Sequence, residues 1–112
     1  MVRAIGARQA TRYFQTAERI GAGRAREIGL VHELAEPDAL DAAVQAIIDA
    51  LHAGGPLAQA AATDLIRAVA NRPIDDAVVE DTARRIAALR ATPEAKEGLG
   101  AFLDKRPPAW TA

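Results

Sequence analysis

The sequence predicts an all-α protein of about six helices, with at most one short strand at residues 30–34. Three observations carry this. Roughly a quarter of the chain is alanine, a residue that favours helix and buries little area. Apolar residues recur at helical spacing through most segments. Proline and glycine sit where helices start and stop, as at Gly54-Gly55-Pro56, Asn71-Arg72-Pro73 and Thr92-Pro93.

The elements follow in order. Val2 to Thr16 is the first expected helix, with Ala7, Ala10 and Phe14 on one face and Arg8 and Arg12 on another. Tyr13 and Phe14 give it a bulky end that either lines a ligand pocket or anchors the core. Gly21-Ala22-Gly23 opens a short helix through Ile28, and Gly29 closes it as a left-handed cap. Leu30-Val31-His32-Glu33-Leu34 alternates like a strand. A single strand cannot satisfy its own ladder, so it either pairs outside this chain or serves as an extended connector.

Pro37 suits the first position of the next helix. Leu40, Val44, Ile47, Ile48 and Leu51 then form one apolar stripe. Pro56 starts another helix with Leu57, Ala61, Leu65, Ala68 and Val69 on its apolar face, and the two read as an antiparallel pair. Ile74, Val78, Ile86 and Leu89 mark a long helix to about Arg90, acidic early and basic late, as the helix dipole favours. Thr92-Pro93-Glu94 supplies an N-cap, a first-turn proline and a matched acid for the last helix. Its stripe is Ala95, Leu99 and Phe102, and Pro107-Pro108 stops it.

Bulk properties narrow the function. The 112 residues suggest a single domain, 1–112. Aromatics make up only 4 %, so the core is expected to be thin, which leaves apolar faces open to a partner chain. A net charge of -1 argues against nucleic acid as partner, because phosphates need a concentrated basic face. There is no cysteine, hence no disulfide and no cysteine-based metal site. No apolar run approaches the roughly 20 residues of a membrane span, and the first residues lack a signal-peptide core. The expectation is a soluble, cytoplasmic protein with no membrane partner.

Few residues offer chemistry. Glu18, Glu27, His32 and Glu33 cluster in sequence, as acid/base work would require, yet solvated charges on helix and strand surfaces account for them better. His52 at a helix end complements its carbonyls, and the two histidines lack a ligand-like spacing. Gly21-x-Gly23 is too short for a nucleotide fingerprint. In the closing helix, Lys105 and Arg106 come three and four residues after Phe102. An aromatic and a cation so spaced can hold an adenine ring and a phosphate. The same residues can also be core and C-terminal cap.

Two stretches resemble a known family. The run Ala10-x5-Thr16-Ala17-Glu18-Arg19-Ile20-x-Ala22-x2-Ala25-x3-Gly29-Leu30-Val31 is similar to the segment after the active-site half of enoyl-CoA hydratases and isomerases, the crotonase family. The end, Glu97-Gly98-x2-Ala101-Phe102-x2-Lys105-Arg106-x-Pro108-x-Trp110, resembles that family's closing motif. The resemblance covers nearly the whole chain. It implies the C-terminal helical trimerisation region of a crotonase, without the N-terminal spiral that carries the oxyanion-hole donors and acid/base glutamates. The 30–34 strand would then pair with that absent half. Gly23-Arg24, before Ala25, departs from the pattern, and the two nearby glycines loosen the start of that short helix by up to about 1 kcal/mol each relative to alanine.

The resemblance implies action on 2-enoyl-CoA thioesters in fatty-acid or branched-chain acyl-CoA breakdown, self-association, and inactivity of this chain alone. It carries no catalytic residue and no metal. Phe102 and Lys105 take the positions that touch the adenosine part of coenzyme A, which belongs to the substrate, so no separate cofactor is implied. The alternative is a free-standing helical self-association module without catalysis.

Overall fold

The computed structural model describes residues 1–111. Six α-helices run in sequence: α1 (Val2–Thr16), α2 (Ala22–Glu27), α3 (Leu40–Ala53), α4 (Pro56–Val69), α5 (Asp76–Arg90) and α6 (Pro93–Leu103). One turn of 3-10 helix covers Ala109–Thr111. The architecture is all-helical, and no strand occurs among the described residues. At 30–34 the chain takes the connector form. The N–H groups of Leu30 and Val31 both turn back to the Ala25 carbonyl, at 2.8 and 3.3 Å, which occupies donors that a ladder would use.

Contacts divide the chain into two compact units, Met1–Val44 and Gln45–Ala112. In the first, α1 is interrupted at Gly6, whose φ of 75° and ψ of 158° leave the helical region. Ile5, Ala10 and Tyr13 are buried there, and Ile20, Ile28 and Leu30 pack against them. The two aromatics of α1 part company. Tyr13 is core and its hydroxyl accepts from Arg24 Nε at 3.2 Å, whereas Phe14 is 69 % exposed.

Helix α2 ends in a Schellman turn. Gly29 N–H donates to Arg26 O at 3.0 Å and Leu30 N–H to Ala25 O at 2.8 Å. Gly29 sits at φ 73°, where an L side chain is disfavoured, so the sequence reading of this cap holds. Pro37 does not open the following helix. Residues 37–39 form a turn, with Ala39 N–H on Glu36 O at 2.9 Å, and α3 begins at Leu40. A tighter turn bonded three residues apart takes the place of the first expected helical turn.

In the second unit, α4 packs on α5 and α5 on α6. These contacts displace the expected pairing of α3 with α4 as the main packing. Asp75 caps α5 by accepting from Val78 N–H at 2.9 Å, and Thr92 caps α6 by accepting from Ala95 N–H at 3.2 Å. Glu94 has a reach that periodicity does not show. Its carboxylate leaves its own helix and accepts from Leu57 and Ala58 N–H, both at 2.9 Å, at the start of α4. Those donors have no partner within α4, so a distant carboxylate satisfies both them and the dipole. Gly55 makes room: a Cβ there would lie 2.5 Å from Glu94 Oε1.

The C-terminal tail folds back in the same way. Trp110 Nε1 donates to the last carbonyl of α3, Ala53 O, at 3.2 Å. Its ring lies over Gly98 of α6, where a Cβ would come within 2.8 Å of Trp110 Cη2. The apolar stripes are mostly bare. Helix α3 buries no residue, and Leu40, Val44, Ile47 and Leu51 are each about half exposed.

Gly98→Ala raises helix propensity by about 1 kcal/mol yet should still be destabilising, because the methyl group displaces the indole. The expected result is red-shifted emission from the lone tryptophan at neutral pH. Emission unchanged from the parent protein would contradict the close approach.

Candidate functional site

The acid/base candidates in the first unit do not converge. Arg12 holds the Glu18 carboxylate through Nε and Nη2 at 2.5 and 3.0 Å, and Thr16 adds a bond at 3.1 Å. Hydrogen bonding from Arg12 lowers the Glu18 pKa, so this carboxylate stays ionised and is a poor proton donor. Glu27 pairs separately with Arg24 at 2.9 Å. His32 and Glu33 are exposed in the connector. No group of three or more His, Cys, Asp or Glu suited to a metal ion occurs among the described residues.

The closing helix is the better candidate. Ala58, Leu89, Glu94, Leu99, Phe102 and Trp110 are among the residues lining an open groove of about 340 Å³. Phe102 is 78 % exposed, the largest exposure of any aromatic side chain here. That position does not suit a core role, one of the two open at the level of sequence.

Lys105 and Arg106 are not on the last helical turn, where their spacing had placed them. α6 ends at Leu103, Asp104 is its C-cap, and Lys105 has φ 54°. The reason is a second Schellman turn. Lys105 N–H donates to Phe102 O at 3.3 Å and Arg106 N–H to Ala101 O at 3.0 Å. Lys105 therefore occupies the position that Gly29 occupies after α2. A lysine there costs about 1–2 kcal/mol in steric strain that glycine avoids. Such strain persists only where surrounding contacts over-determine the backbone.

Those contacts come from Glu97. Arg106 grips its carboxylate with both terminal nitrogens, Nη1 at 2.7 Å and Nη2 at 3.0 Å. Ala109 N–H donates to the same carboxylate at 2.9 Å. One side chain on α6 thus holds both flanks of Pro107-Pro108. The Arg106 bonds, assisted by the Ala109 N–H, lower the Glu97 pKa to about 2. Arg106 is fully engaged, whereas no carboxylate among the described residues lies within ion-pair distance of Lys105. As sequence, Glu97 is only the first residue of the closing motif, with no role of its own, because its partner is nine residues away and beyond the helix.

The folded-state pKa of Glu97 lies below the ordinary value of about 4.3. The folded state therefore binds fewer protons in that interval than the unfolded one. The pair's contribution is complete above pH about 4.3 and fades as pH falls to about 2. Glu97→Gln should lose that contribution at neutral pH and show a shallower acid limb in urea titrations followed by tryptophan emission. Identical limbs would show that the pair is not stabilising.

Comparisons with known proteins place this geometry. The structure superposes on an enoyl-CoA hydratase from Shewanella pealeana with a TM-score of 0.90 and 41 % identity, covering 97 % of this chain and 40 % of that one. An enoyl-CoA hydratase/isomerase from Marinobacter aquaeolei gives a TM-score of 0.91 at 31 % identity, covering 99 % and 42 %. A curated relative from Thermus thermophilus is 29 % identical over 96 % of this chain and 42 % of its own length. The chain thus spans about two fifths of the length of these relatives. The enoyl-CoA hydratase/isomerase family model matches residues 1–112, and the chain belongs to that family.

Proposed function

We propose that this chain is the C-terminal helical portion of a cytoplasmic enzyme that hydrates or isomerises 2-enoyl-CoA thioesters in fatty-acid or branched-chain acyl-CoA breakdown. It contributes a self-association surface and a contact to coenzyme A through Phe102 and Lys105, and it has no turnover alone. One observation carries this reading. The helices keep the fold of part of chains more than twice as long, yet the large side chains of the α3 stripe, with Leu57, Ile86 and Leu99, lie largely exposed. Uncovered apolar area of this kind marks an interaction surface.

The division of labour follows from the chemistry. Such an enzyme stabilises a thioester enolate with preorganised hydrogen-bond donors. The acid/base candidates of this chain are tied up by arginines or scattered in solvent, as described above. What the chain offers is an exposed aromatic ring and an ammonium without an ion-pair partner among the described residues, joined by one backbone hydrogen bond. An aromatic face suits a purine and an ammonium suits a phosphate.

The bare stripes also favour the second reading, self-association without any ligand. Titration with coenzyme A separates the two. The first expects weak, saturable binding reduced by Phe102→Ala and by Lys105→Ala; the second expects association with no binding. Purified protein mixed with crotonyl-CoA should show no hydration, and measurable turnover would refute the claim of inactivity. Light scattering should show assemblies larger than a monomer at high concentration. A strict monomer would count against the surface argument.

A further inference from the structure

We propose that Glu97 is a positioning residue for Lys105, holding its backbone left-handed so that its ammonium is presented to a phosphate. This rests on the reading of Lys105 as a coenzyme A contact. The two Schellman turns differ at their left-handed position. After α2 the left-handed position is filled by glycine, and after α6 by lysine. Among the described residues no ion pair spans the α2 turn, where Arg24 and Glu27 pair within the helix, whereas the α6 turn is bridged by Glu97.

The bridge is specific in geometry. Glu97 precedes the turn and Arg106 follows Lys105 directly. The bidentate pair at 2.7 and 3.0 Å therefore closes a ring of chain around residues 98–105. The bond from Ala109 N–H to Glu97 at 2.9 Å anchors the far side of the two prolines. Arg106 Nε is also 3.6 Å from Asp104 Oδ2, so the residues on both sides of Lys105 are tied to one another. Lys105 is left with its backbone fixed and its side chain exposed. A planar guanidinium gripping a carboxylate is the arrangement that holds a backbone in one pose, and lysine at 106 would not reproduce it.

The chemistry also decides which cation meets the ligand. An arginine with its fork committed to a carboxylate offers less to a phosphate than an unpaired lysine beside it. The turn divides the two basic residues into one that builds and one that binds.

The test uses the whole chain, with coenzyme A as the probe and calorimetry as the readout. Glu97→Gln keeps the shape and removes the charge; Arg106→Lys loses the fork and stands in if circular dichroism shows that Glu97→Gln does not fold. A strong intraresidue amide–Hα NOE at Lys105 marks the left-handed backbone. The expected result is that this NOE weakens in the Glu97 variant, and that Glu97→Gln and Lys105→Ala each weaken binding about tenfold, the loss of one charged phosphate contact. The double variant should be no weaker than Lys105→Ala alone, because a positioning residue acts through its target. An undiminished affinity for Glu97→Gln, or losses that multiply, would overturn the positioning role while leaving Lys105 as a contact. Absence of saturable binding by the parent chain would overturn the contact itself and the positioning role with it.

Discussion

Two carboxylates three residues apart on α6 hold the second unit together. Glu94 reaches back to the start of α4, and Glu97 reaches forward to the tail. Both bind backbone N–H groups that no helix could satisfy by itself, so each replaces water at a site where an unpaired donor would be costly. With so few buried side chains, such polar ties define geometry that packing leaves loose. Val78 and Ala101 are the buried hydrophobic residues of this unit among the described residues. Neither can fix the direction of a helix in the way that a paired carboxylate can.

The thin core has a second effect. Alanine lets helices approach closely but removes little apolar area from water. The larger apolar side chains, on α3 above all, then lie on the outer faces. Tyr13, buried, and Trp110, half-buried, show how the less exposed aromatics are fixed. Each is held by its polar end, the hydroxyl to Arg24 and the indole N–H to Ala53 O. Phe14 and Phe102 have no such end, and both are exposed. Side-chain polarity separates the anchored aromatics from the available ones.

Much of the fold was legible from local rules. Thr92-Pro93 marks the start of α6, Pro56 that of α4 and Gly29 the end of α2, because caps and φ preferences act within a few residues. The 30–34 segment and Pro37 were harder. A branched alternating run fits a strand, but pairing is a long-range property, and here Ala25 takes the donors. Proline at 37 is compatible with a helix start and equally with a turn. At the candidate site, the residue types of Phe102 and Lys105 were readable and their geometry was not. Periodicity carries the helix past Leu103, while the ending is set by Glu97 and Arg106 meeting across nine residues.

Lys105 also bears on how this protein could be redesigned. A stability optimiser that scores backbone conformation would write glycine at 105, as the chain itself does at 29. The change relieves strain and deletes a cation that no carboxylate among the described residues pairs. Sequences selected only for robustness would therefore drift away from lysine at this position. Retention of a lysine with left-handed backbone is a signature that can be sought in any chain whose helix ends this way, without knowing its ligand.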